Sequence, residues 1–164
     1  MRNEESDTLL RSLFADAASS DMAVRRTAEC ALTKLLVSEP SYIPDVLQEI
    51  RAGDVTSRWY LARALINAGD SVIPVLTAHS RGEEDINVQK YIGAVLASFG
   101  EKSVAPLISL FSAENPKARG MAAAALERIG QPALEGLLAA VKSENPMVRT
   151  CAGLVLQKGG VCRY

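Results

Sequence analysis

Histidine occurs once in these 164 residues, tryptophan once, and aromatic side chains together make up only 5%. A metal site built on the single His79 would need further donors converging on it, and the chain has no His-rich or Cys/His spacing. A Ser-His-Asp set or a Cys-His pair would have to use that same residue. His79 therefore reads as a surface or packing residue. The three cysteines, Cys30, Cys151 and Cys162, are an odd number with no CxxC spacing, which excludes a disulfide framework and fits a reducing compartment. GxGxxG, Walker and EF-hand patterns are all absent. No apolar run reaches the roughly 20 residues that cross a bilayer. The opening MRNEESDTLL lacks the basic-then-apolar order of a signal peptide. Neither sign of charge prevails, with 18 Lys and Arg against 19 Asp and Glu, so nothing pulls the whole chain toward nucleic acid or an anionic membrane. These absences leave no cofactor, no metal and no membrane span to argue for, and a cytoplasmic protein that binds rather than catalyses is expected.

What is present is a repeat. The segments Asn115-Pro116-Lys117-Ala118-Arg119 and Asn145-Pro146-Met147-Val148-Arg149 match at an offset of 30. Steps back of 30, 31 and 33 residues reach Gln89, Arg58 and Arg25, each preceded four residues earlier by Asp85, Asp54 or Asp21. Three residues after this Arg/Gln column lie Ala28, Leu61, Ile92, Ala122 and Ala152, and seven after it lie Leu32, Leu65, Leu96, Leu126 and Leu156. Apolar positions at that spacing trace one face of a helix. The Asp/Asn column sits where an N-cap accepts hydrogen bonds from free helix amides. Pro116 and Pro146 follow at the first helical position, where the missing N–H costs nothing. Gly69, Gly100, Gly130 and Gly160 then fall where a helix ends in the left-handed conformation.

The second helix of each unit is thus placed at about 21–37, 55–68, 86–99, 116–129 and 146–158. First helices are expected over Asp7–Ala18, Tyr42–Arg51, Val72–Ser80, Val104–Ser112 and Ala133–Lys142, with Pro44, Pro74 and Pro106 near their starts. Val46/Leu47, Val75/Leu76, Leu107/Ile108 and Leu137/Leu138 mark their buried faces. The expected architecture is an all-α, right-handed α–α superhelix of about five helix pairs. One domain covers 1–164, with repeats at 6–38, 41–69, 70–100, 103–130 and 132–160. Such units cannot bury their apolar faces alone and stack on one another.

The stretches Ser103–Gly130 and Pro132–Gly160 resemble HEAT repeats, specifically the short kind of phycobilisome-lyase-type HEAT-like proteins. The hallmark is a second helix reading Val-Arg, then Ala, then Leu, then Gly. The third repeat departs from it, with Gln89 for the arginine and an insertion, Gly82-Glu83-Glu84, before its second helix. Glu83, Glu84 and Asp85 read as a solvated turn. The resemblance implies a scaffold that binds a protein partner on a concave face lined by second helices. It also suggests two other classes: a bilin-lyase component handling an open-chain tetrapyrrole, or a nucleic-acid-binding HEAT-like module. Iron-binding HEAT-repeat hydroxylases carry several His-Glu pairs, which this chain lacks.

Arg25, Arg58, Arg119 and Arg149 are expected to pair with acids, amides or carbonyls at neighbouring turns as a structural ladder. The competing reading is a strip for acidic peptides or phosphates. One residue further on stand Arg26, Trp59, Lys90, Gly120 and Thr150, a polar, exposed-looking column in which the lone tryptophan is out of place. Trp59, Tyr60, Arg63, Lys90, Tyr91 and Arg26 are the expected partner anchors, because Trp, Tyr and Arg are enriched at binding hot spots. Tyr60 and Tyr91 have the alternative of sealing the space between helices. Cys30 and Cys151 lie on second helices as small apolar residues. The last helix, around Cys151-Ala152-Gly153-Leu154-Val155-Leu156, has little polar cover, so self-association or a continuing solenoid is expected at that end.

Overall fold

The computed structural model describes residues 4–159. Ten α-helices run through them in pairs, and no β-strand occurs among these residues. The chain divides into two compact units, Met1–Val72 and Ile73–Tyr164. The first holds α1 (Glu4–Ala17), α2 (Met22–Ser38), α3 (Ile43–Ala52) and α4 (Val55–Asn67). The second holds α5 (Val72–Ser80, its first residue closing the first unit), α6 (Ile86–Ser98), α7 (Val104–Ser109), α8 (Pro116–Ile129), α9 (Leu134–Ala140) and α10 (Pro146–Lys158). Within the first unit α2 packs on α1 and α4. Within the second, α8 packs between α6 and α10, and α7 packs on α9.

Each second helix starts where its cap residue dictates. The side-chain oxygens of Asp21, Asp54, Asp85, Asn115 and Asn145 accept from amides two or three residues on, at 2.7–2.9 Å for the shortest bond of each. The glycines after α4, α6 and α8 turn the chain with φ of 92° at Gly69, 58° at Gly100 and 71° at Gly130, values that a Cβ would oppose. Gly160, the last of that column, lies outside the described residues, as does Cys162. First helices begin later than the sequence suggests at Ile43 and Leu134, because single 3₁₀ turns, Pro40–Tyr42 and Gln131–Ala133, lead into them. After Ser109 another such turn, Leu110–Ser112, replaces the expected end of α7.

The leucine column is the core. Leu32, Leu65, Leu96, Leu126 and Leu156 are at most 4% exposed, and each such side chain contributes roughly 1.5–3 kcal/mol by leaving water. Of the expected first-helix pairs, Val75 and Ile108 are half-buried, and Leu138 lies outward at 46% exposure beside the buried Leu137. Gly136 is required by close approach, since a Cβ there would stand 2.8 Å from Val104 Cγ1 across the α7–α9 contact.

The arginine column forms clasps inside repeats. Arg25 donates to the carbonyl of Ser19 at 2.6 Å, and Arg58 to those of Ile50 and Arg51 at 2.7 and 3.2 Å. Arg119 donates to Ala113 and Glu114, and Arg149 to Ser143 and Glu144, all at 2.7–2.8 Å. Arg58 ties the last turn of α3 to the start of α4, satisfying carbonyls that α3 leaves open, and the other three tie the turn after the first helix to the start of the second helix of the same repeat. In the third repeat the Gln89 amide donates to Ser80 and Glu83 at 2.8 and 2.9 Å. Gln89 is 1% exposed, so a neutral amide makes the same clasp where a guanidinium would lose its hydration.

In the inserted turn before α6, Gly82 and Glu84 are exposed as expected, but Glu83 is not. Glu83 is 3% exposed, its carboxylate accepting from the Asp85 amide at 2.8 Å and meeting His79 Nε2 at 3.0 Å. Its carbonyl also accepts from Asn115 Nδ2 at 2.9 Å, while Lys117 Nζ reaches the carbonyl of Glu84 at 2.7 Å. Asn115 therefore uses both ends of its amide, the oxygen to cap α8 and the nitrogen to hold the preceding repeat. An aspartate can do only the first.

Candidate functional site

A helix whose buried face carries one column of a repeat must present another to solvent. On α2 and α4 that outer stripe comprises Met22, Arg26 and Cys30, and Val55, Trp59, Arg63 and Asn67, all exposed. Trp59 is 50% exposed. The Arg63 guanidinium carbon stands 4.5 Å from the centre of the indole ring, within cation–π range. Arg63 Nε also pairs at 3.1 Å with Glu29 on α2, and Asn67 Nδ2 donates to the same carboxylate oxygen at 2.9 Å. The Glu29 side chain is only 7% exposed, so the pair holds Arg63, and through it the indole, in one place.

Tyr60 is not part of that outer stripe. At 6% exposure it lies in the core, with the Trp59 ring edge-on at 5.0 Å and the Arg25 guanidinium 5.3 Å from its centre. It seals the helix packing, the alternative that the sequence left open. Between α2 and α4 runs a shallow groove of about 440 Å³ lined by Arg26, Glu29, Cys30 and Arg63 among others. Cys30 is exposed rather than packed, whereas Cys151 is half-buried.

The expected anchors divide between the two units: Arg26, Trp59, Tyr60 and Arg63 belong to the first, Lys90 and Tyr91 to the second. Lys90 is exposed on α6 and Tyr91 is half-buried. Lys90 borders a second groove, of about 660 Å³, between α6 and α8. Gly120, which lines that groove, stands in the same column as Trp59, where the sequence marks only the tryptophan as out of place.

The titration chemistry is sparse. The Ser57 amide, and then its hydroxyl, hold the Asp54 carboxyl below its ordinary 3.8, as a cap does. Burial, followed by a hydrogen bond with Asp7, raises the Tyr42 phenol above its ordinary value. No group of three or more His, Cys, Asp or Glu side chains able to hold a metal occurs among the described residues. No helix among them is long and apolar enough to cross a membrane.

A family model for HEAT repeats matches residues 73–157, just over half of the chain and inside the second unit. No curated protein sequence matches the chain.

Proposed function

Because the chain belongs to the HEAT-repeat family, whose members generally serve as protein-interaction scaffolds, we propose that it is a non-catalytic binding module that takes a protein partner on the outer faces of its second helices. In the first unit the anchor patch is Trp59 with Arg63 and Arg26. The observation that carries this is the half-exposed indole held under a guanidinium that is itself fixed by a nearly buried carboxylate. Preorganised aromatic and arginine side chains lose little freedom on binding, which is what concentrates affinity at hot spots. Met22 and Val55, at 52% and 73% exposure, extend apolar surface beside it.

The test is capture of partners from native cell extract on immobilised protein, followed by affinity measurement with wild type and Trp59→Ala. A hot spot costs about 2 kcal/mol or more, so affinity is expected to fall roughly thirtyfold with the circular dichroism spectrum unchanged. Equal affinity for the two proteins contradicts the assignment of the patch.

A further inference from the structure

We infer that the groove between α6 and α8 is a docking site for a partner-protein segment that inserts one aromatic side chain and carries a carboxylate beside it. The groove holds about 660 Å³ and is walled mainly by carbon: Ile86 and Ala94 on α6, Gly120, Met121 and Ala124 on α8. At its floor the helices touch, since a Cβ on Gly93 would stand 3.0 Å from Met121 Cγ. Above that contact it opens, because nothing lies within 4 Å of where a Gly120 side chain would begin. The charged groups lining it are Lys90, Lys117 and Arg128, with no carboxylate among the lining residues. Lys117 is paired at 3.0 Å with the exposed Glu84. Lys90 and Arg128 are exposed and have no hydrogen bond or ion pair among the described residues. Gln89, another lining residue, has a buried Oε1 that accepts no hydrogen bond.

The repeat itself indicates the occupant. Gly120 and Ala124 stand at the registers that Trp59 and Arg63 hold on α4, one and five residues after the clasp column. In the first unit those registers supply an indole, a cation over it and, from α2, the Glu29 carboxylate that meets the cation. On α8 those registers carry neither ring nor charge, and the charged groups lining the groove are all cations. An aromatic ring and a carboxylate are therefore what a partner must bring, the ring to leave water on the carbon walls and to face Lys90 or Arg128, the carboxylate to neutralise them. The inference rests on the reading of the chain as a binding module, but on residues other than the Trp59 patch.

The test is selection of random dodecapeptides on the immobilised full chain, with affinities of the enriched peptides then measured in solution. The expected consensus pairs an aromatic residue with Asp or Glu within one helical turn. Gly120→Trp, a substitution on an exposed helix face checked for folding by circular dichroism, fills the groove and is expected to weaken these peptides by about tenfold or more. Lys90→Glu with Arg128→Glu weakens them similarly without adding bulk. Trp59→Ala leaves them unchanged. No enrichment, a basic or purely aliphatic consensus, or affinities indifferent to both groove variants would overturn the inference. Peptides weakened by Trp59→Ala alone belong to the first-unit patch; they too overturn the inference while leaving the binding-module reading intact.

Discussion

At matching registers of their second helices the first unit carries Trp59 and Arg63, and the second carries Gly120 and Ala124. The columns behind them are the same: a cap, a clasp and a buried leucine in each repeat. Burial fixes the inward columns, because a polar or misfitting residue there costs several kcal/mol. The outward columns are free of that constraint. Two positions per helix are then enough to turn a filled, charge-matched surface into an open apolar groove with an unmatched rim.

The largest expected effect concerns the clasp, where the third repeat differs in charge from the other four. Gln89→Arg forces a guanidinium into a site 1% exposed and is expected to cost about 3 kcal/mol in urea unfolding. The reverse exchange in the first unit, Arg58→Gln, is expected to cost about 1 kcal/mol, because its site is only half-buried. Equal costs would remove burial as the reason for glutamine in the third repeat.

Next comes Asn115→Asp, which keeps the cap but loses the donor to the Glu83 carbonyl and sets a carboxylate beside it; roughly 2 kcal/mol is expected. Asn145→Asp, at an exposed cap, is expected to change stability by less than about 0.5 kcal/mol in the same assay.

Exchanging the outer registers has a smaller effect. Trp59→Gly is expected to lower stability by about 1 kcal/mol, combining the cost of glycine in a helix with the lost ring–guanidinium contact. Gly120→Trp is expected to leave stability unchanged or raise it by up to about 1 kcal/mol. Calorimetry on the pair checks this. A strongly destabilised Gly120→Trp would show that the groove is packed from outside in the native chain.

The smallest effect is one of pH. The Asp54 carboxyl is held below its ordinary 3.8 in the folded chain. Its contribution is complete above the unfolded value and disappears as pH falls through the depressed folded one. Asp54→Asn, still able to cap, should therefore show a shallower loss of melting temperature between pH 5 and pH 2, with little change at pH 7.

The caps and the leucine column were legible in the sequence because each repeat states them again, and five statements outweigh local noise. What the repeat could not show lies in contacts peculiar to one place. Glu29 meets Asn67 across 38 residues, and no column links them. The burial of Glu83 follows from an insertion that only the third repeat carries. Tyr60 follows Trp59 directly in sequence, yet one faces the core and the other solvent, a distinction set by a 100° step around the helix rather than by residue type. The α6–α8 groove was visible only as small residues, which become meaningful once the corresponding positions on α4 are seen to be filled.

The most direct test of the filled-against-open comparison is methyl NMR with indole-3-acetate, an aromatic ring and a carboxylate in one small probe. Met22 reports from the first-unit stripe and Met121 from the floor of the α6–α8 groove. Saturable shifts of the Met121 methyl are expected, absent in Gly120→Trp, with the Met22 methyl unmoved. Shifts of equal size at both methyls, or a Met121 response that survives in Gly120→Trp, would contradict it.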